Sequence, residues 1–321
     1  MSDKKVIAVV GATGAQGGGL VSAILEDPSA EFAVRALTRN PESPKAKELA
    51  AKGVEVVAAD LDDVQSLERA FAGAYGVFGV TNFWEHFSPE TELAQARNMA
   101  QAAKTADVRH FVWSTLEDTR ALVPLDSDAM PTLMGKYKVP HFDAKGEADG
   151  FFREFGVPTT FLLTSFYWDN LIHFGMSPQP GPDGVLTIAF PMDEAKLPGI
   201  AAEDIGRCAY GIFKAGEGYI GKTVGIAGDH LSGPEMAVAL SKALGKPVRF
   251  YAISPDAYRA LGFPGADDLG NMFQFKRDFN EQFMAARSLE TTRSLYPATL
   301  TFELWLGKYA GQIPMPEAVG T

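Results

Sequence analysis

The chain opens with an apolar run, Val6-Ile7-Ala8-Val9-Val10, that breaks directly into Gly11-Ala12-Thr13-Gly14-Ala15-Gln16-Gly17 and then into an amphipathic stretch through Leu25. A strand that turns into a helix through glycines spaced G-x-x-G-x-x-G uses each one differently. Gly11 permits the tight turn, Gly14 lets backbone N–H groups face a ligand with no side chain between, and Gly17 lets the helix lie close to the sheet. Free N–H groups at a helix N-terminus hold phosphate oxygens. The strand and helix on either side make residues 11–17, with Thr13, Ala15 and Gln16 among the glycines, a pyrophosphate cradle rather than a turn that serves packing alone.

The alternation continues. Strands are expected at residues 6–10, 33–37, 54–58, 77–80, 110–113 and 160–163, with helices at 20–25, 45–52, 63–71, 89–106 and 141–155. Six strands separated by helices predict an α/β fold, a Rossmann-type doubly wound parallel sheet with right-handed crossovers. From Ser177 the texture changes: Pro178, Pro180, Gly181, Pro182 and Gly184 cluster, and short strands at 185–190, 224–227 and 248–252 mix with helices. Residues 1–176 are therefore expected to form a dinucleotide-binding domain. Residues 177–321 form a smaller C-terminal α/β lobe, the other wall of the cleft, part of which can return to the sheet.

The end of the second strand selects the cofactor. Sheets that prefer NAD place Asp or Glu there to bind the ribose 2′-hydroxyl, whereas this chain has Thr38-Arg39-Asn40. A guanidinium cannot accept from a hydroxyl but grips a 2′-phosphate, so Arg39, with Asn40 beside it, predicts NADP(H) over NAD(H). The alternative is a solvated loop arginine. Asp60 and Leu61, after the third strand, are expected beside the adenine; Asp60 could instead cap the next helix, although Asp63 already serves that end.

Composition excludes several classes. A net charge of −11 without any Lys/Arg run argues against direct nucleic-acid binding. The lone Cys208 rules out an internal disulfide, and the five histidines show no metal-ligand spacing. No apolar run reaches the roughly 18 residues of a membrane span, and the N-terminus does not read as a signal peptide, so a cytoplasmic location is expected.

Longer motifs add a family. GATGAQGG at 11–18, LTRNP at 37–41, GAYGVFGVTNFWE at 73–85, HFDAKGE at 141–147, FYWDNL at 166–171 and LGFPGADDLGNMFQF at 261–275 resemble the NmrA-like family of atypical short-chain dehydrogenases/reductases, in particular its HSCARG-type NADPH-sensing members. The resemblance implies further cofactor contacts from Thr81, Asn82 and Phe83, from Lys145, and from Phe166, Tyr167, Trp168 and Asp169. Short-chain dehydrogenases generally use Tyr-x-x-x-Lys with a serine on the preceding strand. Here Ser114 and Lys145 match, but His141 stands where the tyrosine belongs.

A histidine one helical turn before a lysine is expected to be pushed toward its neutral form, leaving a poor acid for carbonyl reduction. Tyr137 is no substitute, being eight residues before Lys145 with Pro140 between. Two functions follow. The favoured one is an NADP(H)-binding sensor of cofactor state that engages a protein partner or self-associates. The alternative is an NADPH-dependent reductase of a small aromatic, quinone, enone or imine substrate using Lys145. His86 reads as a surface loop histidine, and Cys208 as a small buried residue.

Overall fold

The computed structural model describes residues 4–316. Its first part runs β1 (Lys5–Val10), α1 (Ala15–Glu26), β2 (Phe32–Thr38), α2 (Pro44–Ala51), β3 (Glu55–Ala58), α3 (Val64–Phe71), β4 (Gly76–Gly79), α4 (Phe83–His86), α5 (Pro89–Thr105), β5 (His110–Thr115), α6 (Pro140–Glu154) and β6 (Thr159–Leu163). Strands β4, β5 and β6 are buried at every residue, as parallel strands covered on both faces must be. Side chains start the crossover helices where the chain leaves a strand: Ser43 accepts from Ala46 N at α2, Asp63 from Gln65 N and Ser66 N at α3, and Ser88 from Thr91 N at α5.

The remainder comprises β7 (Phe166–Tyr167), α7 (Asn170–His173), β8 (Gln179–Pro180), β9 (Leu186–Ala189), β10 (Leu197–Ile200), α8 (Ala202–Lys214), β11 (Thr223–Gly225), β12 (Asp229–Leu231), α9 (Gly233–Leu244) and β13 (Val248–Tyr251), followed by the helices α10 (Pro255–Arg259), α11 (Ala266–Asp278), α12 (Asn280–Ala285), α13 (Leu289–Leu295) and α14 (Phe302–Tyr309). The main sheet has seven strands in the order β11-β6-β5-β4-β1-β2-β3. All of its pairings are parallel. The order reverses at β1, so the crevice opens at the carboxyl ends of β1 and β4.

The seventh strand comes from beyond residue 177, because β11 pairs with β6. Helix α8 returns with it and packs directly on α1. A Cβ on Gly19 would lie 2.0 Å from the Glu203 carbonyl oxygen, and one on Gly206 would lie 2.1 Å from that of Gln16. The two backbones touch, which only glycine permits. Two small sheets, β12-β10-β7 and β13-β9-β8, complete the lobe. Their core joins α11 and α14 through Phe166, Phe190, Phe273, Phe302 and Trp305. Among the described residues no helix is long and apolar enough to cross a membrane.

Candidate active site

A cavity of about 1250 Å³ runs along the carboxyl edge of the sheet and between α6 and α11. That exceeds the roughly 300–1,000 Å³ of a usual small-ligand pocket. The glycine loop forms one end. Gly11 has φ +65 and its carbonyl accepts from Gly14 N at 2.8 Å. A Cβ on Gly17 would come within 2.3 Å of that carbonyl, so the third glycine shapes the loop itself as well as helix packing. Helix α1 has no side-chain cap, unlike the serine- or aspartate-capped α2, α3 and α5, and no acidic residue in its first turn. Its N–H groups are left for a ligand, and the cradle suits a pyrophosphate. Gly11, Thr13, Gly14, Ala15, Gln16 and Gly17 all line the cavity.

Arg39, Asn40, Asp60 and Leu61 line the next stretch of wall. Arg39 Nη1 lies 2.7 Å from Glu85 Oε1, an exposed ion pair linking the loop after β2 to α4. Lys45 is a second cation on this wall, with Nζ 3.4 Å from the Thr13 carbonyl oxygen. Asp63, not Asp60, caps α3, while the Asp60 carboxylate accepts from Asp62 N at 3.0 Å.

Thr81, Asn82 and Phe83 line the middle, with Lys145 opposite. Lys145 Nζ donates to Thr81 Oγ1 at 2.7 Å and to the Thr81 carbonyl at 3.2 Å, and lies 2.5 Å from Glu92 Oε1. Its three hydrogens thus meet three acceptors, and engaging a ribose requires exchanging one of them. Glu92 is fully buried and also accepts from the Thr81 hydroxyl. Burial pushes the Glu92 carboxyl up, but Lys145, His86 and Thr81 outweigh burial and bring it down to about 2. His86 is therefore not a free loop histidine: Nδ1 accepts from Ser88 N at 3.0 Å and Nε2 lies 3.5 Å from Glu92 Oε2.

His141 differs from its expected surroundings. Its Nδ1 is 2.6 Å from Asp268 Oδ1, and its backbone N–H donates to Asp268 Oδ2 at 3.1 Å. A carboxylate only accepts, so Nδ1 carries hydrogen and Nε2 is left without a hydrogen-bond partner among the described residues. Beside the expected neighbour Lys145 the structure adds two carboxylates, Glu92 against Lys145 and Asp268 against His141. The imidazole lies 4.8 Å from the Trp84 ring and 5.9 Å from that of Phe83, centroid to centroid, on the cavity wall.

Two expected site residues lie elsewhere. Ser114 is 3% exposed, is not a wall residue, and donates to Gln16 Oε1 at 2.8 Å. Gln16 in turn donates to Tyr167 Oη at 2.8 Å, so the Ser114 hydroxyl is engaged with the start of α1 rather than turned to the cavity. Trp168 is also absent from the wall: its indole packs at a tilt against Phe302 at 5.3 Å and Trp305 at 6.2 Å, centroid to centroid, in the lobe core. Its neighbours Phe166, Tyr167 and Asp169 do line the cavity. Burial pushes the Tyr167 hydroxyl up to about 12. Asp169 Oδ2 accepts from Ala202 N at 2.8 Å and so ties the cleft to the start of α8. Tyr137 is fully buried away from the cavity.

Sequence reasoning missed Glu92, Asp268, Lys45, Glu85, Met272 and Lys276. Glu85, Asp268 and Met272 carried a signal, since they lie within motifs already quoted, and Lys45 and Lys276 stand within four residues of one, whereas Glu92 lies seven residues beyond the nearest. Among the described residues no cluster of side chains suits a metal ion.

A family model described as NmrA-like matches residues 3–306. The chain belongs to the NmrA-like family. It is 30% identical to the NmrA-like family domain-containing oxidoreductase cpsB of Aspergillus campestris, over 92% of this chain and 89% of that protein. It is 31% identical to an NAD(P)H azoreductase of Xenophilus azovorans, over 81% and 82%. The solved structure of NmrA, a negative transcriptional regulator, in complex with NADP has the same fold: TM-score 0.75 at 24% identity, covering 95% of each chain.

Proposed function

We propose that the chain is an NADP(H)-dependent reductase of a small, flat, largely apolar acceptor. The observation that carries this reading is that the cavity wall includes, beside the glycine loop and Lys145, an apolar stretch of Leu116, Phe142, Phe166 and Met272, here called the chamber, with His141 next to Phe142. A cofactor sensor has no need of that chamber. The relatives described as oxidoreductases and as an azoreductase support the same reading.

In this arrangement the glycine loop and the N-terminus of α1 hold the pyrophosphate, Arg39 and Lys45 the 2′-phosphate, and Thr81 to Phe83 the ribose and ring. The cofactor when bound supplies a hydride. Asp268 orients His141 and carries the counter-charge when the ring holds two protons, so Nε2 can deliver one to the acceptor. Lys145, held by Glu92 and Thr81, positions the ribose. Trp84, Phe83 and Phe142 keep water from the chamber.

The test titrates NADPH, NADP and NADH by fluorescence, then follows reduced-cofactor absorbance against quinones, enones, imines and aldehydes. Substrate-dependent oxidation is expected, with His141→Phe lowering kcat at unchanged NADPH affinity. Tight NADPH binding without oxidation by any acceptor would favour the second reading, a sensor. One observation supports that alternative: the Arg39–Glu85 ion pair links the loop after β2 to α4, and an arriving 2′-phosphate would compete for it, coupling occupancy by NADP(H) to α4.

A further inference from the structure

One residue of the cavity wall is a lysine that the mechanism above leaves unused. Lys276, on α11, is only 2% exposed yet stands among the lining residues. Its one hydrogen-bond partner among the described residues is the thioether of Met272, 3.3 Å away and one turn back on the same helix. Four phenyl rings surround the ammonium, with centroids at 5.4 Å for Phe142 and Phe283, 5.7 Å for Phe273 and 5.8 Å for Phe166. Arg287 and Glu117 are the charged groups that act on it, and they are bonded to each other at 2.5 and 2.9 Å. Burial, reinforced by Arg287 and opposed by Glu117, pushes Lys276 down to about 7.

Sulfur is a weak acceptor, and ring faces attract a cation without taking a directed hydrogen bond. A buried amine in this setting has an unmet demand for an oxygen acceptor, and the side on which one can arrive is the cavity. The walls there, Phe142, Phe166, Leu116 and Met272, accept a flat apolar body.

We propose that Lys276 is the ligand-recognising group of the chamber, donating a hydrogen bond to a carbonyl or phenolate oxygen on a flat aromatic ligand that lies against Phe142, Phe166 and Met272. The proposal deepens the reductase reading and rests on it for the claim that this ligand is also the hydride acceptor. It assigns the oxygen end of the ligand to α11 and leaves His141 beside Phe142.

The experiment is equilibrium dialysis of 2-methyl-1,4-naphthoquinone and of 4-nitrophenol against NADP-saturated protein, comparing the unsubstituted chain with Lys276→Met, whose side chain suits the apolar nest. Loss of one charge-assisted hydrogen bond predicts about ten-fold weaker binding in the variant. NADPH affinity should stay unchanged. Weakening confined to the quinone identifies a carbonyl, and weakening confined to the phenol identifies a phenolate.

Equal binding by both chains, or no binding of either probe, overturns the proposal. Should Lys276→Met fail to fold, borohydride trapping of salicylaldehyde decides on the unsubstituted chain. The amine and aldehyde condense to an imine with loss of water, and borohydride reduces the imine to a stable secondary amine located by peptide mass. Lys276 should be tagged, and the tag blocked by the probe; an untagged Lys276 beside tagged surface lysines overturns the proposal. Neither readout involves NADPH consumption, so probe binding that depends on Lys276 upholds this proposal even where no acceptor in the panel above oxidises NADPH and the reductase reading falls.

Discussion

Replacing Glu92 with glutamine tests the centre of the site and the stability of the sheet edge together. Glu92 is fully buried and holds Lys145 at 2.5 Å, and its carboxyl is brought from 4.5 down to about 2. Glutamine imitates the protonated carboxyl, so the cost of Glu92→Gln at pH 7 is the free energy of that shift. At about 1.4 kcal/mol per unit this is about 3 kcal/mol. Unfolding entropy near 2.1 cal/mol/K per residue makes that a drop in Tm of about 4 °C. The folded carboxyl lies below its unfolded value, so its contribution is complete above about pH 4.5. It is lost as pH falls toward 2, and the two proteins should converge over that window. Denaturant unfolding at pH 7, repeated at stepped lower pH, measures the difference. A gap below 0.5 kcal/mol at pH 7, or one that fails to narrow with acid, would falsify the argument that Glu92 is a charged partner of Lys145.

The other predictions concern separate parts of the molecule. Arg39→Ala should weaken NADPH far more than NADH in fluorescence titrations, whereas Glu85→Gln should tighten NADPH by freeing the guanidinium; equal losses for both cofactors in Arg39→Ala would remove it from the phosphate site. Gly14→Val places a side chain at the N-cap of α1, where a Cβ already lies 3.2 Å from the Gly11 carbonyl oxygen, and should abolish binding of both cofactors. Burial raises the Asp149 carboxyl to about 7 against the hydrogen bond from Thr115. Its folded value exceeds its unfolded one, so stability declines as pH rises from about 3.8 to 7. Asp149→Asn should therefore raise Tm at pH 8 and leave it unchanged below pH 4.

What was legible in the sequence was mostly local. The glycine cradle, the arginine at the end of β2 and the Asp63 cap each declare themselves within a few residues, since turns and helix starts are decided by neighbours. The long-range partners of the site residues were not legible. Asp268 meets His141 across 127 positions, and an inward-facing Glu92 on an amphipathic helix has the same spacing signature as a solvated one. Phe166 to Trp168 read as one aromatic run, but two cores divide those rings, and the cluster with Phe302 and Trp305 takes the indole. Strand β11 has three residues, too few for any periodicity to assign it to the main sheet rather than the lobe.

The return of α8 and β11 to the main sheet decides how this architecture can be recombined. A cut near residue 176 would strip α1 of the helix against which its glycines are fitted and expose the edge of β6. A specificity lobe transplanted from a relative at one crossover would also bring a foreign α8 against the native α1, where one methyl group at Gly19 or Gly206 collides with backbone. Chimeras should instead exchange the stretches between β6 and α8 and after β11 as separate inserts. The main sheet and the lobe are interleaved along the chain, so, if the proposed chamber binds substrate, its preference is more readily changed by point substitutions on α11 than by exchange of a whole segment.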